Sequence, residues 1–213
     1  MGDFGRSPEA MDKNIAKSRR VSFEVFHTSW GWMGLAASAD GSRAEICQIV
    51  LSRPSRKAVE QELKTFRNSH MGIRHSLLPV LRQAQAQLVE FLEGKRRELD
   101  FAVDLSEGTT FQRRVWRTIL RIPYGRVRSY KWVAARVGGP RRARAVGLAL
   151  GANPVPLIVP CHRVVAHDGS LGGFSCGLRI KRRLLALEGT LPQLGDGKRA
   201  KVGKQPSHSM RPQ

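Results

Sequence analysis

Cys161 and His162 stand side by side, directly after the run Leu157-Ile158-Val159-Pro160. A thiol attacks as its thiolate, and an ionisable imidazole nearby is a group that can take the proton. Leu157, Ile158 and Val159 are too few for a helix and read as a short buried strand. Pro160, with no N–H to give a ladder, suits its end. The expected picture is a nucleophile held at the end of a rigid strand. Judged on composition alone, a lone Cys beside a lone His is more often a buried thiol and a surface imidazole, so the surroundings must decide.

Composition bounds those surroundings. The chain has 213 residues, 41% of them hydrophobic, enough for an ordinary core in one large domain or two small ones. No apolar run approaches the ~20 residues of a membrane span. Residues 1–20 are polar and lack the apolar segment of a secretion signal. Cys47, Cys161 and Cys176 are the three cysteines, an odd set without a pairing pattern. That argues for a reducing, cytoplasmic setting and against a disulfide scaffold. Cys47 and the isolated His27, His70 and His75 have no metal-ligand spacing and read as structural. The formal net charge of +20 attracts polyanions and makes binding salt-dependent. Nucleic acid is the expected partner, although charge does not choose between DNA and RNA.

The elements that must position the pair follow from pattern. Residues 1–21 have no apolar period and read as a disordered leader. Val21, Phe23 and Val25 alternate with polar residues, and Trp30, Trp32 and residues 35–37 follow. The turn signal Ala39-Asp40-Gly41-Ser42 then leads into residues 44–51. Antiparallel strands are expected there. Ser55 caps a helix over 56–66, a second helix spans about 77–93 with Gly94 behind it, and 101–105 reads as a strand or extended linker.

Thr109 and Gln112 make a capping-box pattern at the head of a helix whose apolar face is Phe111, Val115, Trp116, Ile119 and Leu120. Ser129 caps the next helix, Tyr130 to about Val137. Gly138-Gly139-Pro140 turns the chain, and a third helix starts at Arg141. Helix, glycine turn, helix is the order of a helix-turn-helix unit. The third helix carries Ala143, Ala145, Gly147, Ala149, Gly151 and Ala152 beside Arg141, Arg142 and Arg144. Glycine inside a helix costs about 1 kcal/mol relative to alanine, and arginine at a helix N-terminus opposes the dipole. Close approach to a phosphate or base accounts for both; tight helix packing within the domain is the alternative. Past Cys161, residues 163–166 read as a strand and 171–177 as a loop of small residues. A last helix buries Leu178, Leu184, Leu185 and Leu187 and stops at Gly189, and 190–213 read as a disordered basic tail.

The stretch Asn153-Pro154-Val155-Pro156-Leu157-Ile158-Val159-Pro160-Cys161-His162-Arg163-Val164 resembles the active-site signature of the O6-alkylguanine-DNA alkyltransferases, the methylated-DNA–protein-cysteine methyltransferases. The resemblance is strong over about 101–189 and loose over 22–100. It implies an α/β (α+β) fold. Residues 22–100 would form a small N-terminal domain with antiparallel strands and helices. Residues 101–189 would form a mostly helical C-terminal domain with the helix-turn-helix and a short active-site strand.

It also implies DNA repair by direct reversal. The alkyl group of O6-alkylguanine, and less well of O4-alkylthymine, passes irreversibly to Cys161 after minor-groove binding and base flipping. Extrusion is needed because the O6 carbon of a stacked, paired guanine is out of a thiolate's reach. By the resemblance, His162 and Glu188 are the base and its orienting carboxylate, with a water between thiol and imidazole. Tyr130 donates to the flipped guanine, Arg144 fills the gap in the stack, and Asn153 braces the turn before the nucleophile. Ser129, Arg141, Arg142, Ala145, Gly147 and Gly151 complete the DNA-facing set. Pro156, Val164, Phe174, Ser175 and Cys176 line the pocket.

No metal or organic cofactor is expected. The expected partner is double-stranded DNA carrying alkylated bases, met by a monomer, with cooperative binding left open. Two departures bear on the pocket: Phe174 stands where many relatives have tyrosine, and Cys176 where glycine is frequent. A non-enzymatic lesion binder of the alkyltransferase-like kind would lack Cys161. A Cys–His–Glu hydrolase would have no use for the basic helix-turn-helix.

Overall fold

The structure, a computed structural model, describes residues 20–40, 43–65 and 77–191. Most of the expected leader, the turn tip Gly41-Ser42, Phe66, His70, His75 and the tail from 192 onward lie outside those described residues. Among the described residues the chain divides into two units. One holds the residues up to Phe91 together with Leu99–Asp104, the other Leu92–Glu98 and the residues from Leu105.

In the first unit β1 (Arg20–Thr28), β2 (Gly31–Asp40) and β3 (Arg43–Arg53) form an antiparallel sheet in that order. The period-two alternation of β1 puts Val21 and Val25 on one face. There they cluster with Ala36, Cys47 and Val50 and with Val59 and Leu63 of α1 (Arg56–Thr65). Gly34 makes the close approach of α1 possible, because a Cβ there would lie 2.5 Å from Val59 and 2.8 Å from Leu63. Cys47 is fully buried, its Sγ donating to Ala36 O over 3.4 Å, and His27 meets Trp32 edge-on at 5.1 Å. The leader ends earlier than its expected limit at Val21, since Arg20 and Val21 already pair with Ala39 and Ser38.

α2 (Leu78–Leu92) is followed by Gly94 at φ +75°. The segment after it overturns a single division at 100/101. Ile46 N donates to Ala102 O and Asp104 N to Ile46 O, both at 2.9 Å, so Val103 bridges β3 in parallel. β3 is an edge strand, and its unpaired backbone groups are what this segment satisfies.

The second unit holds α3 (Thr110–Ile119), β4 (Arg128–Ser129), α4 (Tyr130–Val137), α5 (Ala143–Gly151), β5 (Val164–Val165) and α6 (Leu178–Leu187). The Thr109 capping box forms: its side chain accepts from Gln112 N at 3.2 Å, and Gln112 Oε1 accepts from Thr109 N at 2.7 Å. Val115, Trp116 and Ile119 are buried, and Trp116 Nε1 donates to Ala149 O at 2.8 Å, tying α3 to α5. Leu120 is 42% exposed because it is the cap residue at which the helix ends.

Gly138, at φ +136°, closes α4. The third helix then begins later than expected: Pro140–Arg142 form one 3-10 turn and α5 proper starts at Ala143. A proline with fixed φ and no N–H suits such a first turn. Arg141, Arg142 and Arg144 are all exposed.

The expected strand over Leu157, Ile158 and Val159 is not formed. Pro156 and Val159 bridge across a tight turn in which Leu157 takes φ +80°. Prolines at 156 and 160 remove the donors a ladder would need on either side. Cys161–Arg163 then make a 3-10 turn, and the strand comes after the cysteine, as β5, paired in parallel with β4 through Arg128–Val164 and Ser129–Val165.

On α6 the buried residues are Ile180, Lys181, Leu184 and Leu185. Leu178, expected inside, is 51% exposed in the first turn. The helix ends when Gly189 N donates to Ala186 O and Thr190 N to Leu185 O, with Gly189 at φ +71°. Thr190 is fully buried rather than part of a tail. Among the described residues no helix is long and apolar enough to cross a membrane.

Candidate active site

Cys161 is 3% exposed and lines a cavity of about 370 Å³. Tyr130 closes the cavity from the head of α4, Ala143, Arg144, Gly147, Leu148, Leu150 and Gly151 from α5, and Gly173, Phe174 and Ser175 from the loop before α6. Asn153 fixes the nucleophile from behind. Its Nδ2 donates to Cys161 Sγ at 3.1 Å and to Val159 O at 2.8 Å, while its Oδ1 accepts from Val155 N at 3.1 Å. Burial pushes the thiol up to about 12, against the opposing pull of the Asn153 hydrogen bond and the Lys181 charge. At neutral pH the resting group is therefore the thiol, and a base is needed to release its thiolate.

That base is adjacent in sequence and turned away in space. In the 3-10 turn the His162 ring is fully buried, with Nε2 2.8 Å from Glu188 Oε1. Burial holds the imidazole below its ordinary 6.5, outweighing the upward pull of Glu188, so it is neutral. A carboxylate only accepts, so Nε2 carries the hydrogen and Nδ1 is left as a bare acceptor. Nδ1 is buried and has no hydrogen-bond partner among the described residues.

Glu188 is held by more than the histidine. Arg163 Nε and Nη2 donate to it at 2.9–3.0 Å, and Gly125 N at 3.1 Å. Arg163 Nη1 reaches Ile122 O at 2.7 Å. Burial pushes the Glu188 carboxyl up, but the hydrogen bonds and charges of His162 and Arg163 outweigh it and keep it below its ordinary range.

Tyr130 reaches its place through the β4–β5 pair, which ties Ser129 to Val165, four residues past the cysteine. Ser129 Oγ caps α4 by accepting from Trp132 N at 3.1 Å. The Tyr130 hydroxyl donates to Gly173 O at 3.1 Å. Burial first and the neighbouring Cys161 second raise its pKa. Gly172, at φ +62°, leaves the ring its space: a Cβ there would lie 2.7 Å from it.

The model of the 6-O-methylguanine DNA methyltransferase DNA-binding domain matches residues 110–190. The methylated-DNA–protein-cysteine methyltransferase of Methanosarcina barkeri is 48% identical over 107 residues, covering 50% of this chain and 67% of that one. Its namesake in Mycobacterium bovis is 51% identical over 102 residues, 48% and 61% of the two chains. The crystal structure of Mycobacterium tuberculosis OGT in complex with DNA is similar over 80% of this chain and 94% of that one, at 36% identity and a TM-score of 0.63. The chain belongs to the methylated-DNA–protein-cysteine methyltransferase family.

For a member of that family the fold gathers much of the expected set. Cys161, Tyr130, Arg144, Gly147, Gly151, Phe174 and Ser175 share the cavity. His162, Glu188 and Asn153 stand behind it. Pro156 and Val164, expected in the lining, are buried elsewhere: Pro156 belongs to the tight turn and Val164 to β5. Cys176 also stands outside the lining, its Sγ 4.0 Å from Ser175 Oγ. Arg141, Arg142 and Ala145 lie along the 3-10 turn and α5 outside the cavity.

Sequence reasoning missed Ala143, Leu148, Leu150 and Gly173 in the lining, the clamp of Arg163 on Glu188, and Lys181. Leu148 is 74% exposed, a large apolar side chain within a run of small ones. Lys181 is fully buried, its Nζ donating to Val164 O at 2.6 Å and Gly173 O at 3.1 Å. Its signal was available: it falls on the apolar stripe of α6 with Ile180, Leu184 and Leu185.

Proposed function

We propose that the protein removes the alkyl group from O6-alkylguanine in double-stranded DNA, and less well from O4-alkylthymine, by moving it to Cys161 once per molecule. The observation that carries this reading is the buried, unpartnered Nδ1 of a neutral His162 behind a protonated Cys161 in the cavity wall. In the reaction the Cys161 proton passes through a water to His162 Nδ1, and Glu188 stabilises the imidazolium. The thiolate attacks the alkyl carbon, an S–C bond forms as the C–O6 bond breaks, and the electron pair stays on guanine. The Tyr130 hydroxyl, from a residue lining the cavity, supplies a donor to that charge. The product is a thioether, which does not hydrolyse, so turnover stops at one.

The DNA side of the reading rests on α5 and the turn before it. Arg141, Arg142 and Arg144 are exposed, and a Cβ at Gly151 would meet nothing within 4 Å. Arg144 at the cavity mouth is the side chain placed to fill the stack as the damaged nucleotide leaves it. We place the protein in the cytoplasm, acting as a monomer, in keeping with an odd set of three cysteines that has no pairing pattern.

Intact-protein mass spectrometry after incubation with an O6-methylguanine duplex tests this. A gain of about 14 Da (one methylene) on Cys161, absent in Cys161→Ser and stopping at one equivalent, is the expected result for a thiol acceptor. Tight lesion binding without a mass change would leave a binding protein instead.

A further inference from the structure

Leu148 lies on the wrong side of α5 for a core residue. The buried side of that helix is Val146, Ala149 and Leu150. At about 100° per residue, position 148 is roughly 200° round the helix from both 146 and 150. Its side chain is accordingly 74% exposed. A single exposed leucine is ordinary on a protein surface, but two things set this one apart. It belongs to the wall of the Cys161 cavity, together with Arg144 and Gly151. It also rises from a helix face whose other positions are Arg144, Ala145, Gly151 and Ala152. Small residues let a helix come close to the surface it meets, so a leucine among them reaches deepest. Arg141, Arg142 and Arg144 are exposed on the same approach, which makes a polyanion the surface that fits.

Resting on the reading of minor-groove binding and alkyl transfer, we propose that Leu148 is a specificity-determining residue. It meets the groove floor beside the lesion and sets the flanking sequence from which the alkyl group is removed fastest. Arg144 fills the stack where the damaged nucleotide leaves it. Leu148 comes four residues later, about 6 Å along the helix axis, less than two base-pair rises of ~3.4 Å. A long helical side chain also leans back towards its neighbour four residues before. The pair that Leu148 meets is therefore next to the lesion or one step further out.

The chemistry of the groove floor makes this contact selective. An A·T pair shows only acceptors there, whereas a G·C pair adds the guanine 2-amino group, a donor that also occupies space. Leucine has no acceptor for it, so closing on a G·C pair takes that amino group out of water without a partner. Leucine is among the apolar side chains that minor-groove proteins press against base steps.

The test measures single-turnover methyl transfer to Cys161 from duplexes that differ in one base pair within two steps of the O6-methylguanine, on either side. That pair is A·T, G·C or inosine·C, since inosine keeps the major-groove edge of guanine and lacks the 2-amino group. On one side of the lesion the wild-type chain is expected to react roughly tenfold more slowly beside G·C than beside A·T, with inosine·C matching A·T. Leu148→Ala, which withdraws the apolar bulk, should bring the two rates to within about twofold. Leu148→Asn, which offers the amino group an acceptor, should remove the penalty or reverse it. Folding is checked by circular dichroism, and should one variant fail to fold the other carries the comparison. An unchanged ratio of G·C to A·T rates in the variants would overturn the proposal, whatever their absolute rates. So would a wild-type chain indifferent to the flanking pair, or inosine·C behaving as G·C. Failure of the wild-type chain to take up methyl from any duplex would instead remove the transferase reading itself.

Discussion

His162 Nε2 and Glu188 Oε1 are 2.8 Å apart, and neither side chain is exposed to solvent. The same carboxylate takes Arg163 through Nε and Nη2 and the backbone N–H of Gly125. Glu188 is therefore both the group that fixes the histidine tautomer and the counter-charge of a buried arginine. Glu188→Gln removes both roles. Leaving Arg163 buried without its anion should cost about 3–5 kcal/mol of stability, read by urea unfolding, and alkyl transfer should slow further because Nε2 no longer faces an anion.

Acid should weaken the same site in two steps, measured as stability against pH. His162 lies below its ordinary 6.5 when folded, so the unfolded chain binds more protons in that window. Stability then rises with pH below 6.5 and is lost on acidification through it. Glu188 lies below its ordinary 4.5, so its contribution is complete above that value and disappears as the pH falls through its folded value. His162→Asn should abolish the first step and spare the second. Alkyl transfer should fade on the acid side with protonation of His162.

Gly172 and Gly173 are neighbours with different duties. Alanine at 172 would combine φ +62° with a Cβ 2.7 Å from the Tyr130 ring. It should cost about 1–3 kcal/mol and slow alkyl transfer by displacing the phenol. Alanine at 173 meets nothing within 4 Å and should cost little. Parallel rate and melting measurements on the two variants separate these outcomes.

The basic approach to α5 should be visible in salt dependence. Arg141→Gln is expected to weaken binding to damaged and undamaged duplex alike and to reduce the slope of log K against log[salt] by about 1, as for one lost phosphate contact. Arg144→Ala, at the cavity, should lose more affinity on lesion-containing duplex than on undamaged duplex. Fluorescence anisotropy across a salt series checks both.

The sequence by itself determined the local devices. Thr109 with Gln112, Ser129 and Gly189 mark helix ends because capping and positive φ depend on a few neighbouring residues, and each acts at its expected place. Alternation of Val21, Phe23 and Val25 gave the sheet, and the Pro-Cys-His-Arg run gave the nucleophile and the family. The strand before Cys161 was misread because an apolar run is the same in a buried strand and a buried turn. Prolines on both sides and the φ of Leu157 decided for the turn.

Tertiary structure alone decided what meets at long separation. Nothing local in Arg163 tells that it clamps Glu188, 25 residues away, or that two strands of two residues each bring Tyr130 to the cysteine. The sequence puts Lys181 on the apolar stripe of α6, but only the docked helix decides which partners its charge finds inside. Charges buried by docking are set by the whole fold, since only the packed neighbours determine which carbonyls and which thiol they face.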